Sequence, residues 1–172
     1  MNDFVDNNGR KMIAVYPGSF DPITLGHLNI IKRGAAIFDK IIVCIMVNSA
    51  KNPMFTIEER YDMVKRVVKR FPNVEVDVSD KLLVEYTQSK GATIILRGLR
   101  ALSDFEMEFQ MAMANKKVNP KIEMVYLMAS GKYTYLSSSV VKEMAKYNAD
   151  LSEFAPREII KDIIDKSREN RR

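Results

Sequence analysis

Gly18-Ser19-Phe20-Asp21-Pro22-Ile23-Thr24-Leu25-Gly26-His27 follows a short apolar run, Met12 to Tyr16, and ends on the only histidine of the chain. The run reads as a first strand and the residues from Gly26 onward as a helix, so the segment is a turn that feeds a helix N-terminus. Unpaired N–H groups and the positive end of the helix dipole face such a turn, which makes it a ready seat for an anion. Gly18 and Gly26 allow close backbone approach, Ser19 and Thr24 add hydroxyls, and His27 adds a ring N–H that can reach a phosphate oxygen. The plainer alternative is an ordinary loop whose serine and threonine cap their own backbone.

Three further groups could act on the same ligand. Lys51 lies in Asn48-Ser49-Ala50-Lys51-Asn52-Pro53-Met54-Phe55-Thr56, a second strand-to-helix loop; alone it reads as a solvated surface lysine. Arg97-Gly98-Leu99-Arg100 ends an apolar run, where burying a guanidinium is costly without an anionic partner. A phosphate would match the arginine fork, and so would a carboxylate from elsewhere in the fold. In the following stretch Asp104 and Glu106 read as helix-start residues, and Glu108 by itself as a solvated carboxylate. Ser137-Ser138-Ser139 opens a later helix, where one serine suffices for capping and N–H groups remain available to an anion.

These groups need a scaffold that brings loop ends together. Apolar runs at Met12–Tyr16, Ile41–Val47, Val74–Val78, Thr93–Leu96 and Glu123–Met128 predict strands, and amphipathic stretches at Gly26–Phe38, Ile57–Phe71, Leu82–Lys90, Asp104–Lys117, Ser138–Lys146 and Pro156–Arg168 predict helices. Thr56 with Glu59, and Ser103 with Glu106, have capping-box spacing; Gly91 suits a left-handed helix end and Pro156 a first turn. Met107, Met111 and Met113 read as core or subunit-contact residues. Alternating strands and helices imply right-handed crossovers: an α/β, Rossmann-like, doubly wound parallel five-stranded sheet with helices on both faces. Such sheets bind ligands at the carboxyl ends of their strands, where the strand order reverses.

Composition bounds the function. The 172 residues suit a single domain (1–172), with 1–11 as an N-terminal extension and 166–172 as a frayed tail. No apolar run approaches the ~20 residues of a membrane span, and residues 1–11 lack a signal-peptide core, so a cytoplasmic protein without a membrane partner is expected. Cys44, the only cysteine, lies in an apolar run and reads as a buried hydrophobe. The net charge of +5 is not gathered into a basic, aromatic-interleaved stripe, which argues against a nucleic-acid partner and suits a small polyanion. A P-loop pattern is absent.

The residues also carry a resemblance. Thr24-Leu25-Gly26-His27 resembles the His/Thr-x-Gly-His signature of the nucleotidyltransferase superfamily, and Gly18-Ser19-Phe20-Asp21-Pro22 narrows it to the bacterial phosphopantetheine adenylyltransferases. Lys51-Asn52-Pro53-Met54-Phe55, Arg97-Gly98-Leu99-Arg100 and Leu136-Ser137-Ser138-Ser139 with Lys142 are similar to motifs of that family, and the likeness spans Met12 to Arg157. The family commonly has Asn where Leu25 stands, and some members have Trp where Tyr133 stands.

The resemblance implies the nucleotidyltransferase fold and transfer of an adenylyl group from ATP to 4′-phosphopantetheine, with magnesium accompanying ATP. His27, Lys51 and Arg97 would be catalytic. Ser19, Phe20, His27, Gly98, Leu99, Arg100, Glu108 and Tyr133-Thr134-Tyr135-Leu136-Ser137-Ser138-Ser139 would bind ATP. Ser19, Lys51, Leu83 and Arg97 would bind phosphopantetheine. No protein metal ligands are implied. A homohexamer and coenzyme A as a feedback ligand follow from the same likeness. A sister nucleotidyltransferase with another phosphate acceptor, a non-catalytic nucleotide or coenzyme A sensor, and a nucleic-acid module suggested only by charge stand as alternatives.

Overall fold

The computed structural model describes residues 11–47 and 52–169. Five parallel strands, β1 (Ile13–Gly18), β2 (Lys40–Met46), β3 (Val74–Ser79), β4 (Ile94–Leu99) and β5 (Glu123–Met128), form one sheet in the order β3-β2-β1-β4-β5. The order reverses between β1 and β4, so the switch point lies where the glycine–histidine turn and the arginine pair leave the sheet. β1 and β2 are nearly continuous apolar runs because both faces are covered: Ala14, Val15, Ile41, Val43, Cys44 and Ile45 are wholly buried. β3, an edge strand reading Val-Glu-Val-Asp-Val-Ser, alternates instead.

The larger core lies between the sheet and the helices α1 (Leu25–Ala35), α2 (Ile57–Val68), α5 (Ser138–Lys146) and α6 (Ile160–Glu169). The other sheet face packs Val15, Ile42 and Cys44 against Tyr86 of α3 (Leu83–Ser89). The seat of α1 depends on a missing side chain: a Cβ on Gly34 would lie 2.6 Å from Ile41 Cδ1 and 2.8 Å from Leu96 Cδ2. The helix therefore lies close enough to aim its first turn at the strand ends.

Local signals act as expected at Thr56, whose hydroxyl accepts from Glu59 N while Glu59 accepts from Thr56 N, and at Gly91, which has φ +68°. Other expectations are corrected. Helix α4 (Leu102–Val118) begins earlier than its capping signal suggests, with Ala101 as N-cap and no side-chain cap, so Ser103 lies inside the helix. The Arg100 N–H is taken by the Asp104 carboxylate instead. A 3-10 turn, Arg157–Ile159, intervenes between Pro156 and α6, and that helix continues to Glu169, so the expected fray does not include residues 166–169. Lys166 there pairs with Glu59 at 2.7 Å. Met107, Met111 and Met113 do not enter the core; with Phe105, Phe109 and Val118 they leave α4 with an exposed apolar surface.

Candidate active site

A cavity of about 680 Å³ opens at the switch point. The end of β1, the first turn of α1, the end of β4, one side of α4 and the segment leading into α5 build its walls.

His27 is fixed by the start of its own helix. Thr24 is the N-cap of α1, and its hydroxyl accepts from His27 N at 3.2 Å. The ring returns the favour: His27 Nδ1 accepts from Thr24 N at 3.1 Å, completing a capping box with histidine where glutamate or glutamine is usual. An Nδ1 that accepts a backbone N–H cannot carry a proton, so the neutral ring bears its hydrogen on Nε2. Burial, then Arg100 and Arg97, push the His27 pKa down to about 4. His27 is therefore an uncharged Nε2–H donor lining the cavity at neutral pH.

Phe20 holds the ring from behind. Its own ring is 1% exposed and meets His27 edge-on at 5.2 Å and Tyr16 at 5.6 Å. Its backbone has φ +45°, a conformation unfavourable for an L side chain, and burial of the aromatic ring offsets the strain. The folded-back ring also explains Gly18, where a Cβ would lie 2.8 Å from Phe20 Cζ. That glycine makes room for the chain's own phenylalanine.

The two arginines find carboxylates. Arg97 Nε donates to both Glu108 oxygens (3.0 and 2.9 Å), Nη2 also donates to Glu108, and Nη1 donates to Pro17 O at 3.2 Å. The Arg97 cation is thus offset by an acid eleven residues on, and its burial needs no phosphate to be tolerated. Glu108 is not a solvated carboxylate; its side chain is 14% exposed. Arg100 pairs with Asp104 through Nε (3.0 Å) and Nη2 (3.1 Å) and donates to Leu136 O at 2.9 Å. That last bond ties the end of β4 to the serine segment.

Ser137 alone caps α5, accepting from Val140 N at 3.2 Å. Ser138 Oγ donates to Pro22 O at 2.8 Å, fastening α5 to the first loop. Gly98, Leu83, Tyr133, Leu136, Ser137 and Ser138 all line the main cavity, and Ser19 lines both it and a neighbouring one of about 480 Å³. Ser139 lines the second cavity only. Leu99 is buried, Thr134 bonds Gly131 O, and Tyr135 is exposed against Phe154; these three and Phe20 stand away from the main lining. Lys51 lies outside the described residues.

Two supporting residues escaped the sequence reading. Asp21, 5% exposed, accepts from Met54 N (3.0 Å), Phe55 N (2.9 Å) and Lys142 Nζ (2.8 Å), binding the loop before α2 and helix α5 to the first loop. Lys142, the basic position of the serine motif, is thereby paired. Arg60, also 5% exposed, donates to Ser19 O (3.0 Å) and Thr56 O (3.2 Å). A signal for Arg60 existed: it shares the helical stripe of Met63, Val64 and Val67, which face the core. For Asp21 no local pattern names partners 33 and 121 residues away.

Chemically, the site combines a neutral imidazole donor, two arginine forks held by carboxylates, and a helix N-terminus with serines. Among the described residues no group of three or more His, Cys, Asp or Glu could hold a metal. Donors on three sides of one cavity suit a phosphate-rich ligand.

The chain is similar to known proteins in sequence and in fold. The model of the cytidylyltransferase-like family matches residues 15–144. The chain is 55% identical over 154 residues to a phosphopantetheine adenylyltransferase of Caldanaerobacter subterraneus subsp. tengcongensis, covering 90% of this chain and 96% of that protein. It is 50% identical to a protein of the same name from Alkaliphilus metalliredigens, covering 90% and 99%. In structure it resembles the Plasmodium falciparum nicotinic acid mononucleotide adenylyltransferase complexed with NaAD, with a TM-score of 0.63 at 16% identity over 94% of this chain and 96% of that one. At that identity the likeness speaks for the fold alone.

Proposed function

For a chain that belongs to the cytidylyltransferase-like family, and within it to the phosphopantetheine adenylyltransferases, we propose that the switch-point cavity is where ATP meets 4′-phosphopantetheine. The reaction transfers the adenylyl group of ATP to 4′-phosphopantetheine, giving dephospho-coenzyme A and pyrophosphate. The observation that carries the assignment of the site is the state of His27: with Nδ1 engaged by Thr24 N–H, its free polar atom is an Nε2–H donor on the cavity wall.

A phosphate oxygen of the acceptor attacks the α-phosphorus of ATP, and the bond to the bridging oxygen of the departing pyrophosphate breaks. The nucleophile is already an anion, so it needs no covalent catalyst; positioning and charge stabilisation suffice. In this reading His27 donates to the α-phosphate as charge builds there, and its low pKa suits a donor that gives up no proton. Arg97 and Lys51 take the acceptor phosphate, and Ser19 bonds both substrates. The Glu108 carboxylate keeps the Arg97 fork in one orientation, and nucleotide contacts fall to Gly98, Leu99, Arg100, Glu108 and Tyr133. Arg100 and Ser137–Ser139 hold the pyrophosphate, supported by the Arg100–Leu136 bond that joins the two groups. Leu83 meets the pantetheine arm. Phe20, Thr134 and Tyr135 contribute through backbone and packing rather than through side chains on the cavity.

Magnesium enters with ATP as part of the substrate, using phosphate and water oxygens as ligands. The exposed apolar side chains of α4, Met107 at 72% and Met113 at 59% among them, support self-assembly, and its form as a homohexamer is carried over from the family resemblance. Feedback by coenzyme A and a cytoplasmic setting are carried over from the family resemblance.

Pyrophosphate release, assayed with ATP, magnesium and 4′-phosphopantetheine, tests the reading. Release is expected only with both substrates. Release with nicotinate mononucleotide as acceptor, or with CTP as donor, and none with this pair would point to a sister enzyme. Binding without turnover would point to a sensor.

A further inference from the structure

The wall of the main cavity includes a hydroxyl to which the reaction scheme above gives no task. Tyr16, on β1, is 5% exposed yet lines the cavity. Two other buried or half-buried phenols are bonded: Tyr86 donates to Asp77 at 2.7 Å and Tyr126 to Glu108 O at 2.9 Å. Tyr16 Oη has no hydrogen-bond partner among the described residues. None of the described side-chain oxygens or nitrogens is both fully enclosed and unpaired, so this Oη is not sealed off, and the residue that carries it lines the cavity. A phenol is rarely buried without a partner for its hydroxyl.

Its surroundings define the partner's chemistry. The ring is braced by Phe20 at 5.6 Å and His27 at 6.5 Å, which limits its motion. Tyr16 and Arg97 line the same cavity, and the carbonyl of Pro17, the next residue, accepts from Arg97 Nη1. Burial drives the phenol pKa far above its ordinary value, against the opposing pull of Arg97 and Arg100. The hydroxyl is thus a neutral donor at any working pH, in the field of a cation, and the complementary group is an anionic oxygen.

We infer that Tyr16 is a substrate-binding residue whose O–H donates to a phosphate oxygen of the acceptor held by Arg97. The inference rests on the proposed role of Arg97 and adds a donor that no signature motif of the chain contains. Tyr16→Phe removes only the oxygen and breaks no bond among the described residues, so its melting temperature is expected to match the wild type. A hydrogen bond to a charged group is worth roughly tenfold or more in binding. The Kd for 4′-phosphopantetheine, measured by calorimetry, and the KM for it should both rise by about that factor, while the KM for ATP and kcat stay near wild type.

Equal acceptor affinity in the two proteins overturns the inference, as does a lowered melting temperature with both KM values raised alike. A wild-type protein that binds the acceptor without turnover refutes the proposed reaction and leaves the calorimetric comparison decisive for Tyr16. A wild-type protein that binds no phosphopantetheine refutes both.

Discussion

Replacing His27 with alanine removes two interactions of different kinds, and they can be separated. One is the Nε2–H offered to the cavity; the other is the Nδ1 acceptor for Thr24 N, at 3.1 Å, that closes the α1 capping box. Loss of one positioned donor costs roughly 10²–10³ in kcat. Loss of the capping bond costs about 1 kcal/mol, which in a protein of this size lowers the melting temperature by about 2–4 °C. His27→Gln divides the two effects, because glutamine at the third helical position accepts the N-cap N–H in the same way. The glutamine variant should melt near wild type and still lose most of its rate of pyrophosphate release. The pH dependence adds a sign. The ring's pKa is about 4 in the fold and 6.5 when free. Between these values the unfolded chain binds a proton that the folded chain does not, so wild-type stability falls as pH drops through that window. His27→Gln lacks this contribution, and the stability difference between the two proteins should shift against the wild type from pH 7 to pH 4.5. An alanine variant that is folded and keeps kcat within about threefold of wild type would refute the donor role. A stability difference independent of pH would refute the neutral, buried imidazole.

Three further outcomes follow from packing and pairing. Asp21→Asn leaves one acceptor oxygen for Met54 and Phe55 and strips Lys142 of its counter-ion, so unfolding should require about 1–3 kcal/mol less. Combining it with Lys142→Met should cost less than the sum of the two single changes, and strict additivity would count against the pair. Gly34→Ala forces a methyl against Ile41 and Leu96 and should lower the denaturant midpoint by an amount equivalent to about 1–3 kcal/mol; an unchanged midpoint would mean that α1 shifts freely. Met107→Glu with Phe109→Glu, two exposed apolar positions of α4, should yield a smaller species in sedimentation than the wild type. A wild type that sediments as a monomer would refute assembly through this helix.

The strands and helices were legible because their signals are local: apolar runs for the buried centre of the sheet, capping pairs for helix starts, Gly91 for a left-handed end. The same locality misled at α4, where Ser103 and Glu106 have the spacing of a cap but Asp104 engages Arg100 and starts the helix earlier. The motif residues were legible because chemistry restricts which side chains can hold a phosphate at a strand end. Their electrostatic state was not. Whether Arg97 would face a phosphate or a carboxylate depended on where Glu108 of the next helix came to rest, and the sequence left both open. The proton of His27 is on Nε2 because a backbone N–H three residues back points at Nδ1, which is a fact of dihedral angles. Asp21, Arg60 and Tyr16 acquire their roles only through partners brought close by the parallel crossovers. Charge state, tautomer and loop anchoring are set by distances of about 3 Å between residues far apart in the chain. Residue types and local spacing establish the sheet and most of the cavity wall, and the likeness of the motifs to a known family implies the reaction; the folded packing alone establishes which of those groups is charged, paired or left to meet a substrate.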